Sequence, residues 1–448
     1  MPLKPLYVSI CCLAKKPRRV DITQEVAAVA AIKSDTIKAL TAAALSLPGM
    51  LAKAEAAQVS TQAFADFQYG HYQESDDRIS VDIYQGIIVL PVSKSIELQS
   101  NWVVDTFSGA TPVLTMPDSA AESTTGASGI NGVDSSKNVN ADEQSVQVMT
   151  GASTRETRYG VDLGFSYFLD NLTLHASGSR SEEPDYLSHG YHLGMDWEFN
   201  QKFNTISLGF GQNFDQIEPT TRSLSEEKTD HHFQLGFSQI TSKKSLLRLS
   251  ANYTLSKGYL SNPYKKVFIQ GLAVGSDLQN GGFNKVFYEN RPDKRNQWSV
   301  SLGYIQYFSA LDSSLHLDYR FFTDSWDIVS HTLEAVYHQP LAKGWMLIPR
   351  LRYYTQTDAH FHQNYYSEAR ADNHYSSDFR LAEFGSLGGG LKLTKEWQRV
   401  SSLTESIKLE AGFEYTAHAA NLKLGHHRSS SVTDFEYVLF TAAIKIQF

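Results

Sequence analysis

Cysteine is nearly absent from this 448-residue chain: Cys11 and Cys12 are the only two, and both lie near the start. They precede the point where a leader is expected to be cut. The mature chain is then expected to have no cysteine, which excludes disulfides, zinc–thiolate sites and thioether-linked haem. Long apolar runs are missing as well. No stretch reaches the roughly 18 residues a spanning helix needs, so a bundle of membrane helices is excluded. Basic residues are in deficit, 40 Lys and Arg against 48 Asp and Glu. A nucleic-acid partner would want clustered positive charge, and none is expected. Proline is sparse, at 13. Aromatics are plentiful, with 6 Trp, 23 Tyr and 24 Phe, a mixture that suits strands.

Residues 39–52 form the one sustained apolar run, preceded by Lys33 and Lys38 and followed by Ala-x-Ala patterns at 52–54 and 54–56. That order of charge, apolar core and small residues is a secretory signal peptide. Residues 1–56 are therefore expected to be an extension plus signal, with translation starting near Val26 or Val29, and residues 57–448 a single mature domain. The leader to Ala56 carries eight Lys and Arg against four Asp and Glu, leaving 32 against 44, a net charge of −12.

Beyond the leader, apolar residues recur at every second position. Tyr191, Leu193, Met195, Trp197 and Phe199 alternate with His192, Gly194, Asp196 and Glu198. Trp298, Val300, Leu302 and Tyr304 do the same, as do Leu315, Leu317, Tyr319 and Phe321. A pleated strand collects such residues on one face, whereas a helix would scatter them. A soluble sheet and a membrane barrel share this pattern. Segment lengths of 10–13 residues, aromatics crowded at strand ends and short turns alternating with long polar links favour the membrane.

The sequence therefore predicts an all-β, transmembrane, antiparallel up-and-down barrel of about 16 strands (14–18). The strands are expected at 62–73, 78–90, 94–106, 154–168, 171–180, 187–199, 203–215 and 230–241, then 245–257, 294–308, 314–324, 328–339, 344–356, 377–394, 405–417 and 432–448. Short turns would face the periplasm and long loops the exterior. The link 107–153 is expected to extend into the medium rather than fold inward. In the last segment Val438, Phe440, Ala442, Ile444, Ile446 and the terminal Phe448 share one face. Phe440, Ile444, Ile446 and Phe448 are read as the signal taken up by the barrel-assembly machinery, and outer-membrane lipid as the surrounding partner.

Four stretches carry a family resemblance: ArgProAspLysArgAsnGlnTrp at 291–298, the segment 315–334 beginning LeuHisLeuAspTyrArgPhePhe, ProArgLeuArgTyrTyrThrGln at 349–356, and TyrSerSerAspPheArgLeuAlaGluPheGly at 375–385. They resemble the bacterial domain of unknown function 3570 family. The leader and the element at 105–112 resemble it too. The resemblance implies an outer-membrane barrel of unassigned role with no catalytic residues to carry over. Through the flavin-transfer and thioredoxin-like proteins encoded near family members, it also implies a periplasmic redox partner.

If apolar faces meet lipid, the opposite faces enclose a polar lumen of mixed charge. Its expected lining includes Arg158, Asp196, Arg248, Asp318, Arg320, Glu334, Arg350, Arg352, Lys408 and Glu410, with Asp162, His175, Glu198 and Glu414 beside them. Arg320, Arg350 and Arg352 would attract anions, unless Asp318 and Glu334 pair with them as structural ties. The histidine pairs His231-His232, His360/His362 and His426-His427 are expected to be solvated rather than metal-binding. Ser377, Asp378 and His374 form only a weak hydrolase candidate. No cofactor, metal site or catalytic centre is expected. The leading expectation is a non-enzymatic pore or substrate-selective channel. The alternative is a non-conducting scaffold for a redox partner.

Overall fold

A computed structural model describes residues 62–75, 78–109, 112–117, 145–149, 153–220, 222–270, 286–425 and 434–448. The leader, the cleavage site and His426-His427 lie outside them.

Twenty strands are present among the described residues. They are β1 (Phe64–Glu74), β2 (Ile79–Ser93), β3 (Ile96–Gly109), β4 (Pro112–Pro117), β5 (Ser145–Met149), β6 (Ser153–Phe168) and β7 (Leu172–Glu183). Then come β8 (Tyr186–Phe199), β9 (Asn204–Ile217), β10 (Glu226–Ser242), β11 (Ser245–Gly258), β12 (Lys266–Phe268), β13 (Val286–Tyr288) and β14 (Lys294–Phe308). The chain ends with β15 (Ser313–Asp324), β16 (Val329–Pro340), β17 (Trp345–Gln356), β18 (Phe384–Gln398), β19 (Ser406–Ala419) and β20 (Phe435–Gln447).

Sixteen of these close one antiparallel up-and-down barrel, and β4–β5 and β12–β13 form two separate hairpins. Closure is made by β20 on β1, with Phe64 opposite Gln447 and Glu74 opposite Tyr437. The Phe448 amide extends the seam by donating to Ala63 O at 2.9 Å. Closure leaves no unpaired edge, which a lipid-embedded sheet requires. Tight turns at one rim use left-handed residues, among them Asn200, Gln201, Lys202 and Asp312. The three longest links, 110–152, 259–293 and 357–383, all leave the opposite rim.

The alternation read from sequence sets the wall. Tyr159, Leu163, Leu193, Leu235, Trp298, Val300, Leu333, Leu351 and Phe440 point outward and are exposed. That greasy belt is the lipid-facing surface of a membrane barrel. Phe440, Ile444, Ile446 and Phe448 lie on it, with Leu439, Ala443 and Lys445 on the inner face, each opposite an inward residue of β19.

Two expectations need correction. The fourteenth barrel strand begins at Phe384, not 377: residues 377–383 are a buried link containing a single helical turn, Phe379–Leu381. The interior is also not uniformly polar. Beside β20, β1 and β2, the inward Tyr72, Val81, Ile83, Tyr437 and Leu439 form an apolar patch with Val103. Phe379, from the 357–383 link, packs into that patch. The link therefore enters the mouth of the barrel and uses the patch as its seat.

Candidate functional site

Three links from the same rim knit into a folded cap. β4, β12 and β13 contribute Leu114, Met116 and Phe268, with Val286 against them. The 112–117 portion of the link expected to extend into the medium is thus buried. Val267 and Ile269 pack with Tyr366 and Tyr375. Isolated backbone bridges join Ile269 to Tyr366, Asn290 to Tyr375 and His362 to Ser376. On the β15–β17 side, Trp326, Ile328, Ala359, Phe361 and Leu381 make a further apolar cluster.

Asp378 holds these pieces together. Its carboxylate is fully buried and receives Arg291 Nη2 at 2.7 Å and Arg380 Nε at 2.8 and 2.9 Å. Lys265 Nζ lies 3.6 Å away, also buried, and donates to Pro112 O at 2.6 Å. One carboxylate therefore ties the 259–293 link to the 357–383 link, and Lys265 reaches from it to the link after β3. Glu289 completes the group, pairing with Arg291 at 2.8 Å and accepting from Ser376 Oγ at 2.6 Å. Burial pushes the Asp378 carboxyl up, but Arg380, Lys265 and Arg291 outweigh it and hold the group well below the usual carboxylate range. Burial lowers the Lys265 ammonium to about 8 against the attraction of Asp378. The imidazole of His362 is lowered by burial to about 4.

This network uses up the hydrolase candidate. Asp378 is engaged by cations, Ser377 Oγ donates to Lys266 O at 2.9 Å, and His374 lies 3.9 Å from Asp372. The histidine pairs separate too. His232 faces inward, opposite Thr254, whereas its neighbour His231 faces outward. No group of three or more ligating side chains that could hold a metal occurs among the described residues.

Below the cap, the inner wall of β11 and β14–β19 carries a charged belt. Arg350 donates to both oxygens of Glu414, at 2.9 and 2.8 Å, and to Glu334 at 2.7 Å. Arg352 lies 3.4 Å from Glu334, and Arg248 lies 3.4 Å from Asp318. Glycine makes two of these ties possible. Arg350 on β17 and Glu414 on β19 flank Gly390 on β18 in one register row. A Cβ at Gly390 would sit 2.6 Å from Glu414 Cγ. Arg248 and Asp318 likewise flank Gly303, where a Cβ would sit 2.7 Å from the Asp318 carboxylate. The bare strand between lets each guanidinium cross it.

The other expected lining residues also face inward. Arg158 is buried against Asp105, Asp196 lies 3.0 Å from His175, and Lys408 lies 2.7 Å from Glu410. Arg320 alone of the ten makes no ion pair among the described residues. It is exposed, with its guanidinium 5.9 Å from the Phe322 ring. The belt's side chains are exposed where the cap's hub is not: those of Asp318, Arg248 and Arg352 are 45%, 39% and 37% exposed, against 0% for Asp378. Sequence reasoning missed the cap hub. Asp378 stands in the sequence as part of the hydrolase candidate, Arg291 and Arg380 only within the stretches 291–298 and 375–385 that carry the resemblance, and Lys265 and Glu289 in neither.

No curated protein matches the chain. Among solved structures, CdiB from Acinetobacter baumannii is similar with a TM-score of 0.43 and 9% identity, over 86% of this chain and 60% of that one. This chain thus spans about 60% of the length of CdiB. A bacterial polysaccharide outer membrane secretin gives 0.42 and 9%, over 86% and 98%. A BenF-like porin from Pseudomonas fluorescens Pf-5 gives 0.38 and 9%, over 86% and 98%. The family model described as protein of unknown function (DUF3570) matches residues 37–225 and 220–439. With both halves of the barrel and the cap's Asp378, Arg291 and Lys265 inside those matches, the chain belongs to the DUF3570 family.

Proposed function

We propose that the protein is a bacterial outer-membrane channel of restricted conductance, in which small polar solutes diffuse through a charged lumen past a folded external cap. The carrying observation is the contrast in exposure between the belt side chains Asp318, Arg248 and Arg352 and the buried Asp378 hub above them. Barrels of about 16 strands are wide enough to hold an aqueous path, and an inserted loop narrows it. In this reading the long-loop rim is external, Phe440, Ile444, Ile446 and Phe448 serve barrel assembly, and a cleaved leader directs export. In this reading the solute passes without chemical change.

A second reading is favoured by the cap itself: a mouth closed by several apolar clusters and a buried ionic hub suits a silent barrel that holds a periplasmic redox partner. Planar-bilayer recording of the purified protein separates the two. The channel reading expects discrete, small conductance steps that grow in D378N. A wild type and a D378N variant that are both electrically silent would reject it in favour of the scaffold.

A further inference from the structure

We infer that the lumenal belt holds a binding site for a small oxyanion-bearing solute, centred on Arg320 and completed by Arg352. This rests on the lumen being solvated and names the class of solute that the channel reading leaves open. Four guanidiniums of the belt, of Arg248, Arg320, Arg350 and Arg352, stand against the carboxylates of Asp318, Glu334 and Glu414, while Glu410 is held by Lys408. Arg350 engages both glutamates at 2.7–2.9 Å, and Arg248 reaches Asp318. Arg352 is left with a long 3.4 Å contact to a glutamate that Arg350 already holds. Arg320 is left with none among the described residues.

Arg320 and Arg352 lie on the same inner wall. Arg320 pairs across β15–β16 with Thr332, and Thr332 across β16–β17 with Tyr354, two residues from Arg352 on the same face. The Tyr354 hydroxyl beside them donates to Gln356 Oε1 at 2.6 Å. Planar guanidiniums with unspent donors bind carboxylate or phosphate in forked geometry and stay charged at any working pH. The Phe322 ring beside Arg320 adds an apolar flank that suits a carboxylate on an organic body.

The test is calorimetric titration of the detergent-purified, folded protein with sodium benzoate and, separately, inorganic phosphate, in low-chloride buffer. Saturable binding of at least one probe is expected. The comparison of the two shows whether a carboxylate or a phosphate is better held. In R320Q the affinity should fall about tenfold, equivalent to ~1.4 kcal/mol. R320Q removes a charge without orphaning a partner, and R352Q serves the same purpose should R320Q fail to fold. R180Q, which removes an exposed outer-surface arginine paired with Glu182, should bind as wild type does. No saturable binding of either probe, equal binding in R320Q and wild type, or an equal loss in R180Q would overturn the inference. Binding in detergent does not depend on conduction. A silent barrel that binds anions defeats only the channel reading, and a conducting barrel that binds none defeats only this one.

Discussion

Replacing Asp378 by Asn should release the cap while leaving the barrel intact. The substitution keeps the shape of the side chain but removes the charge that faces Lys265, Arg291 and Arg380, all of them buried or nearly so. A buried ionic cluster adds little net stability compared with an apolar one, because desolvation offsets attraction. Removing one partner is different, since it strands the others without compensation, at about 3–5 kcal/mol. Glu289 still neutralises part of Arg291, so the lower figure is the better expectation. At about 1.4 kcal/mol per decade, cap opening should become roughly a hundredfold more frequent. Hydrogen exchange reads this directly. The amides of Ala359, Tyr366 and Tyr375, bonded to Leu381 O, Phe268 O and Asn290 O, should lose about two decades of protection. Amides in the β15–β16 ladder, such as those of Leu317 and Ala335, should not change. Equal protection of the cap in both proteins would refute the hub's role, and so would equal loss in cap and wall.

Acid should loosen the same cap. His362 titrates near 4 when the cap is closed and near its ordinary 6.5 when released, so the open form binds the extra proton between those values. Stability therefore falls as pH drops from about 6.5 to 4, by at most about 3 kcal/mol, and proteolysis of residues 357–383 should accelerate across that window. The depressed Asp378 carboxyl acts in the same direction at lower pH, losing its contribution as it protonates. In the wall, G390V forces a side chain into the space used by Glu414 and Arg350 and should cost about 1–3 kcal/mol, seen as a lower urea midpoint of the heat-modifiable folded band. L163R places a charge on the lipid face at a strongly exposed position and should cost about 2–4 kcal/mol if it lies near mid-bilayer, by the same assay.

The barrel was legible because one physical rule, the two-residue period, governs most of its wall strands. β14 starts and ends where the alternation does, at Lys294 and Phe308. The cap was not legible, because its order comes from contacts between distant links. Phe379 and Leu381 are spaced like strand residues, which is why 377–383 reads as strand, yet they serve different clusters on either side of a helical turn. β12 and β13 have three residues each, too few to show any period. The charged residues of the belt could be assigned to the inner face from sequence, but not their partners: Arg350 and Glu414 are 64 positions apart. A usable signal was present in Gly303 and Gly390, which interrupt inward-facing positions where the row needs space. The apolar inner face of β2 broke the alternation, and its meaning appears only with Phe379 seated on it.

Tryptophan quenching by brominated lipid measures most directly whether the wall faces acyl chains while the cap lies within. Of the six tryptophans, Trp298 is 54% exposed on the outer face, and Trp326 is 2% exposed in the cap. In reconstituted single-tryptophan variants, Trp298 should be quenched strongly and Trp326 should keep its emission. Equal quenching of the two, or an unquenched Trp298, would contradict the arrangement described.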